Sequence, residues 1–375
     1  MNRILFFFVR IIAALVAVIA SFTPLYRQNT AQLAKDKAWQ KAHVEELAQQ
    51  FAAGTMPQVN ERDFFDGDLA AALADGLKFN ELRYVATHNS YQNESVPELQ
   101  MWYGIVSRIT FGAVPANGGE FQLGPLSAQL DGGVRSLEMD VETMKTGKKT
   151  SFVCLHSPVL DMTTNSYNFA LALREIRLWS KAHPQHLPLT VIIEPKVAML
   201  PLPNMDVFTL ENANLLDALL KKALGSRLVT PGDVLRGYES FAQMRENDDW
   251  PTVQSLRGKV LVLLHSTLVT NSYIRQDQTL RTQAMFPMLN VRDANKPYAA
   301  FLLENDPEKL ETQRQALIET EKFIVRTRAD SFGKPDETPR KAALRSGAQI
   351  LSTDYPPLQG IESPFSFANG ATLAQ

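Results

Sequence analysis

The stretch Val134–Pro158, VRSLEMDVETMKTGKKTSFVCLHSP, reads as strand, polar turn and strand, and the rest of the chain is ordered around it. Alternate residues of a strand leave the same face, so Glu138 and Asp140 project together from the first run. His156 closes the second run, just before Ser157 and Pro158. Two carboxylates and an imidazole at one end of a sheet form a set able to hold a divalent cation beside an acid–base group.

Similar runs recur at Arg83–Thr87, Thr190–Pro195, Lys259–His265, Phe301–Glu304, Phe323–Arg328 and Ala348–Asp354. Helical patterns such as Phe169–Ala182, Leu215–Ala223 and Pro307–Glu321 lie between several of them. Apolar strands alternating with helices argue for a mostly parallel sheet covered by helices. About eight strands over about 280 residues suit an α/β fold closed as a (β/α) barrel better than an open doubly wound sheet. No GxGxxG follows a strand and no P-loop is present, so a nucleotide fold loses support.

In a barrel the strand C-termini converge on one rim. The first run delivers His88 and Asn89, the second Glu138 and Asp140, the third His156, and the fourth Glu194 with Lys196 on the same face. Burying such a set without a use costs far more than apolar filling. Taken alone, Glu138 and Asp140 have a structural alternative in ion pairs with Arg135 or Arg83. Asn89, Glu138, Asp140 and Glu194 are all oxygen donors, the preference of calcium, with magnesium the other candidate. The two histidines are then free to carry protons, and a hard cation would neutralise a phosphodiester's oxygens. Lys196 would add charge toward the phosphate. Arg326, Arg328 and Asp354 lie on later segments that reach the same rim as substrate-binding groups, the alternative being a pairing of Arg328 with Asp330 or Asp354.

The remaining histidines lack that company: His183 and His186 read as surface residues of a Pro-flanked loop, His265 stands alone, and His43 is a satisfied or solvent-facing helix residue. Cys154, the only cysteine, excludes an intramolecular disulfide and reads as a small buried hydrophobe. A formal net charge of -2 on 375 residues gives no reason to expect nucleic acid as a partner.

At the N-terminus, Arg3 precedes an apolar run interrupted by Arg10 and continuing to Phe22. It reads as an export signal or an uncleaved anchor, although Arg10 in hydrocarbon would cost ~3 kcal/mol. The expected division is 1–23 signal or anchor, 24–80 a helical extension with its helix over Thr30–Ala53, 81–360 the barrel, and 361–375 a tail. The expected location is therefore exported: periplasmic, secreted or anchored. The long connection Ser90–Gln129 carries Tyr91, Trp102, Tyr103, Ile105, Ile109 and Phe111. It is either an insertion packed on its own barrel, or a lid over the site or an apolar patch that dips into a membrane surface.

THNSY, GVRSLEMDVE, the strand ending in His156 and VIIEPK resemble the X-region motifs of the phosphatidylinositol-specific phospholipase C superfamily, nearest its bacterial calcium-dependent branch. VRTRAD (Val325–Asp330) and ALRSGAQILSTDYP (Ala343–Pro356) resemble the closing strands of that branch. The resemblance implies a distorted TIM barrel that cleaves a phosphodiester next to inositol. Matched motif by motif, it implies that His88 stabilises the phosphorane and that His156 is the general acid for departing diacylglycerol. Asn89, Glu138, Asp140 and Glu194 fall on the calcium positions, and Glu138 also accepts the proton of the inositol 2-hydroxyl. Two rivals stand beside it. Glycerophosphodiester phosphodiesterases share the pattern but open with His-Arg-Gly, where this chain has His88-Asn89-Ser90. A silent exported protein binding a lipid headgroup or glycan would need neither histidine.

Overall fold

The computed structural model describes residues 2–109, 122–196, 201–330, 337–356 and 358, with side chains from residue 23 onward except at Ile109. Its strands among these residues are β1 (Tyr84–Thr87), β2 (Ser136–Thr146), β3 (Lys149–Cys154), β4 (Leu189–Pro195), β5 (Met205–Asp206) and β6 (Leu228–Val229). They continue as β7 (Val260–His265), β8 (Met285–Asn290), β9 (Phe301–Leu303), β10 (Ile324–Arg328) and β11 (Ile350–Thr353). Parallel pairing runs β1-β11-β10-β9-β8-β7-β4-β2 and returns from β2 to β1, so eight parallel strands close a barrel. The closure is narrow: β1 meets β2 at Ala86↔Ser136 and Thr87↔Leu137.

Strand periodicity sorts the side chains. Leu137, Met139 and Val141 of β2, with Val191 and Ile193 of β4, face outward into an apolar cluster with the surrounding helices. Ser136, Glu138 and Asp140 are the alternate residues of β2 and so face the barrel interior. The helices are α1 (Asn2–Ala53), α2 (Leu69–Ala74), α3 (Pro97–Ile109), α4 (Leu126–Asp131), α5 (Phe169–Ala182), α6 (Leu210–Leu224), α7 (Pro231–Leu235), α8 (Phe241–Glu246), α9 (Leu268–Gln276), α10 (Pro307–Arg314) and α11 (Glu337–Arg345). α5 starts where the Asn168 side chain accepts from Leu171 N–H, and it buries Phe169, Leu173, Ile176 and Trp179.

Two strand assignments need correction. The run Phe152–His156 is not a barrel stave: β3 pairs antiparallel with the outer half of β2, and Val141↔Cys154 ends their register. Local periodicity cannot distinguish a hairpin partner from a parallel neighbour. The eighth stave is instead β8, absent from the sequence reading. Its text MFPMLN holds Pro287, and a proline argues against a central strand because it cannot donate to the ladder.

α1 clasps the barrel. Leu47 joins the cluster around α4 and α5, and His43 Nε2 lies 3.2 Å from Glu175 Oε1. Gln40 bonds the backbone of Asn168, Asp36 accepts from Thr164 N–H at 2.9 Å, and Asn29 donates to Leu160 O at 2.7 Å. His183 and His186 are buried rather than on the surface. His183 bridges Trp179 O and Pro57 O, and His186 bonds Ser180 Oγ and Leu187 O. The signal or anchor reading falls on residues 1–23, of which only the helical backbone of 2–22 and the residue Thr23 are described. The tail 361–375 and the Gly-rich part of the Ser90–Gln129 connection lie outside the described residues.

Candidate active site

The rim at the strand C-termini is assembled by short, buried connections. Asn89 adopts a left-handed backbone (φ 48) directly after His88, a conformation asparagine tolerates better than most residues. Ser90 then locks the turn to β2, its N–H donating to Glu138 O and its Oγ accepting from Glu138 N–H, both at 2.8 Å. His88 is thereby held over the first residues of the β2 rim.

The ring of His88 is fixed on both sides. Nδ1 lies 2.8 Å from Asp354 Oδ1, and Nε2 takes a hydrogen bond from Arg328 Nη2. That leaves the proton on Nδ1 and Nε2 as the acceptor, 4.0 Å from Glu138 Oε1. Asp354 is held in turn, its N–H donating to Asp330 Oδ1 at 2.8 Å. Burial and the nearby Asp354 charge push Asp330 up to about 6.

Glu138, Asp140 and Glu194 each place a carboxylate oxygen within 4.8 Å of the others. Their electrostatics differ. Burial would raise Glu138, but the Arg326 guanidinium, 2.5 Å away, leads the opposing charges and brings it down to about 2. Asp140 is raised to about 6 by burial, with Lys196 pulling against that and Glu194 adding to it. Its Oδ2 accepts from Tyr91 O–H at 2.8 Å, while Oδ1 is buried with no hydrogen-bond partner. Asn89 Oδ1 shares the same tyrosine hydroxyl at 3.4 Å. Lys196 Nζ sits 2.7 Å from Glu194 Oε1 and 3.4 Å from Asp140 Oδ2.

His156 does not cap a strand. It lies two residues beyond β3, with its side chain 40% exposed and Nδ1 3.7 Å from Asp161 Oδ2. Burial disfavours its charged form, but Asp161 and Asp140 outweigh that and raise its pKa above the ordinary histidine value. Asp161 is anchored from Gln92, Ser95 and Thr163.

Of the sequence-chosen residues, His88, Asn89, Glu138, Asp140, Glu194, Lys196, Arg326, Arg328 and Asp354 form one connected network. His156 stands at its edge. Neither Arg135 nor Arg83 pairs with the β2 carboxylates: Arg135 is bound to Glu61 and Arg83 to backbone carbonyls. Arg328 contacts His88, not Asp330 or Asp354. Three more groups belong to the rim: Tyr91, read from the sequence as part of the long connection, His265, read as standing alone, and Glu142, which went unnoticed. Glu142 continues the inward face of β2 and is raised to about 7 by burial and Asp140. His265 ends β7, is pushed below the ordinary histidine value by burial against the pull of Glu194 and Glu138, and has a buried Nδ1 without a partner. Its position at the end of VLVLLH was the available signal.

Residues 141–368 match the family model described as "Phosphoinositide phospholipase C, Ca2+-dependent". The chain matches no curated protein. Among solved structures, it resembles a calcium-dependent phosphoinositol-specific phospholipase C from a Gram-negative Pseudomonas species in its apo form. The identity is 19%, over 81% of this chain and 97% of that one, at a TM-score of 0.56. The myoinositol complex is similar at 18%, over 84% and 97%, at 0.54. A Ca2+-dependent phosphatidylinositol-specific phospholipase C from Streptomyces antibioticus gives 18%, over 76% and 97%, at 0.54. At these identities the structural likeness concerns the barrel fold.

Proposed function

Since the chain belongs to the Ca2+-dependent phosphoinositide phospholipase C family, we propose that it cleaves the phosphate–diacylglycerol bond of a phosphatidylinositol-type lipid. The carrying observation is His88 Nε2 facing Glu138 beside a three-carboxylate cluster at the barrel rim.

The donor set fits a hard cation: oxygen ligands only, close together, with Asp140 Oδ1 buried and unpartnered. Asn89, Glu138, Asp140 and Glu194 would hold calcium, which when bound supplies positive charge to the non-bridging phosphate oxygens. The chain's own residues do the rest. Glu138, kept ionised by Arg326, takes the proton of the inositol 2-hydroxyl as that oxygen bonds phosphorus. With substrate bound, Arg328 turns to the headgroup and His88, its Nδ1–H held by Asp354, carries a proton on Nε2 and so stabilises the developing phosphorane charge. His156, with a raised pKa, gives its proton to the glycerol oxygen as the P–O bond breaks. The products are diacylglycerol and a cyclic inositol phosphate. Lys196, Arg326 and Arg328 add positive potential around the headgroup.

The test is release of water-soluble phosphate ester from phosphatidylinositol and from glycerophosphoinositol, each with calcium and with chelator. Calcium-dependent conversion of the intact lipid to diacylglycerol supports the assignment. Cleavage confined to the deacylated diester, yielding glycerol phosphate, would move the chain to the glycerophosphodiesterase reading. Turnover of neither would leave a headgroup-binding protein.

A further inference from the structure

The direction of α1 relative to the barrel carries a consequence for where the enzyme works. Along α1, Gln40 contacts Asn168 at the start of α5 and Glu45 contacts Arg174. Beyond its end, Pro57 O receives His183 Nε2, just past the finish of α5. The two helices therefore run in the same direction. α5 follows the hairpin of the rim and descends to β4, so its N-terminus lies at the rim and its C-terminus at the opposite face. Followed backward, α1 climbs toward the active site: Leu33 packs on Leu155 and Met162, and Asn29 bonds the Val159–Leu160 backbone just beyond His156. Leu25 is then buried against Val96, Leu99 and Leu160 at α3.

α1 does not stop there. Its backbone continues to Asn2, and Ile4–Phe22 is the apolar run. At 1.5 Å per residue that run makes about 28 Å of helix, against a bilayer core of ~30 Å. Among the described residues no helix is long and apolar enough to cross a membrane; the apolar run's side chains lie outside them. In the sequence Arg10 stands in the half of the run that carries Arg3, away from its centre, where a charge costs less than at the bilayer midplane. Pro24, inside α1, marks the junction between apolar run and clasp, and Tyr26 beside it is 40% exposed, as an interfacial aromatic would be. On the same side of the barrel, α3 exposes Met101 and Ile105, one turn apart, with Arg108 following.

We propose that residues 4–22 are an uncleaved anchor whose helix leaves the domain through the catalytic rim, so that the enzyme faces, and acts in cis upon, the bilayer that holds it. The clasp seats the rim, with Met101 and Ile105 of α3, against the lipid surface. Positive charge at Arg3 keeps the N-terminus cytoplasmic and sends the barrel across the membrane. The cis action rests on the phospholipase reading above; the orientation does not.

The test uses the full chain, reconstituted into phosphatidylcholine vesicles carrying a headgroup acceptor dye. Cys154 is buried, so single labels can be placed at Met101→Cys on the rim and at Gln254→Cys on the opposite face. α5 alone, with 14 residues, separates the two faces by about 20 Å. Energy transfer several-fold stronger from position 101 is expected; equal transfer, or stronger transfer from 254, overturns the orientation. The membrane-bound chain should resist alkaline extraction at its full 41.9 kDa, and loss of the first twenty residues overturns the anchor. Phosphatidylinositol in the anchoring vesicle should be cleaved at least tenfold faster than in protein-free vesicles; equal rates overturn cis action. If neither pool is cleaved while the transfer gradient stands, the phospholipase reading fails and the orientation holds.

Discussion

His88 Nδ1 lies 2.8 Å from Asp354 Oδ1, joining the first strand's end to the last strand's end across the barrel seam. The contact selects the tautomer that leaves Nε2 facing the site. Asp354→Asn should lower kcat by about a hundredfold or more, as wrong-tautomer changes do, while the thermal midpoint moves little. Turnover and melting of the same preparation check this, and unchanged turnover would remove the orienting role.

Arg326 is buried against Glu138 at 2.5 Å and also bonds Ser352 Oγ at 2.9 Å. Arg326→Met leaves a buried carboxylate without its cation, which costs on the order of 3–5 kcal/mol. Denaturant unfolding in chelator should show that loss. Changing Glu138→Gln in the same chain should recover part of it.

Calcium should raise the unfolding midpoint of the wild-type chain, because a ligand bound only by the folded state stabilises it, by about 2.7 kcal/mol at a hundredfold excess over Kd. Asp140→Ala removes the buried oxygen that has no protein partner and should abolish most of that shift. A melting series with calcium and chelator decides the matter, with no need for turnover.

His156 acts as a proton donor in the proposed cycle, so His156→Ala should cost about 10²–10⁴ in kcat on a lipid substrate. On an aryl phosphodiester, whose leaving group departs without a proton, the loss should shrink to tenfold or less. Equal losses on both substrates would assign His156 to binding.

Burial pushes His186 down to about 3, below the ordinary histidine value of about 6.5. The unfolded chain therefore binds the extra proton between those values, and stability falls as pH drops through that window by about 1.4 kcal/mol per unit. Above pH 6.5 the contribution is fully present. Unfolding curves at pH 7 and pH 5 for wild type and His186→Asn should show a flatter pH dependence in the variant.

Much of this was legible in the chain because strand chemistry is local. LEMDVE puts its carboxylates on one face by period-two geometry alone, and apolar runs alternating with helices demanded a parallel sheet closed by its neighbours. What was misread lies where local pattern is ambiguous. Pro287 disguised β8, β3 passed for a stave because a hairpin and a parallel neighbour share one periodicity, and His265 ended a strand whose partners were unknown.

By itself the sequence determined the fold class and the residue types brought to the rim, since side-chain alternation and the succession of strands and helices follow from short-range sterics and burial. Only the tertiary structure decided the partnerships: Glu138 with Arg326, 188 residues away, His88 with Asp354, 266 away, and α1 directed past the rim. The physical reason is that a charge's pairing depends on which groups barrel closure places within a few ångströms. That distance is set by strand register and helix packing, which no window of sequence contains.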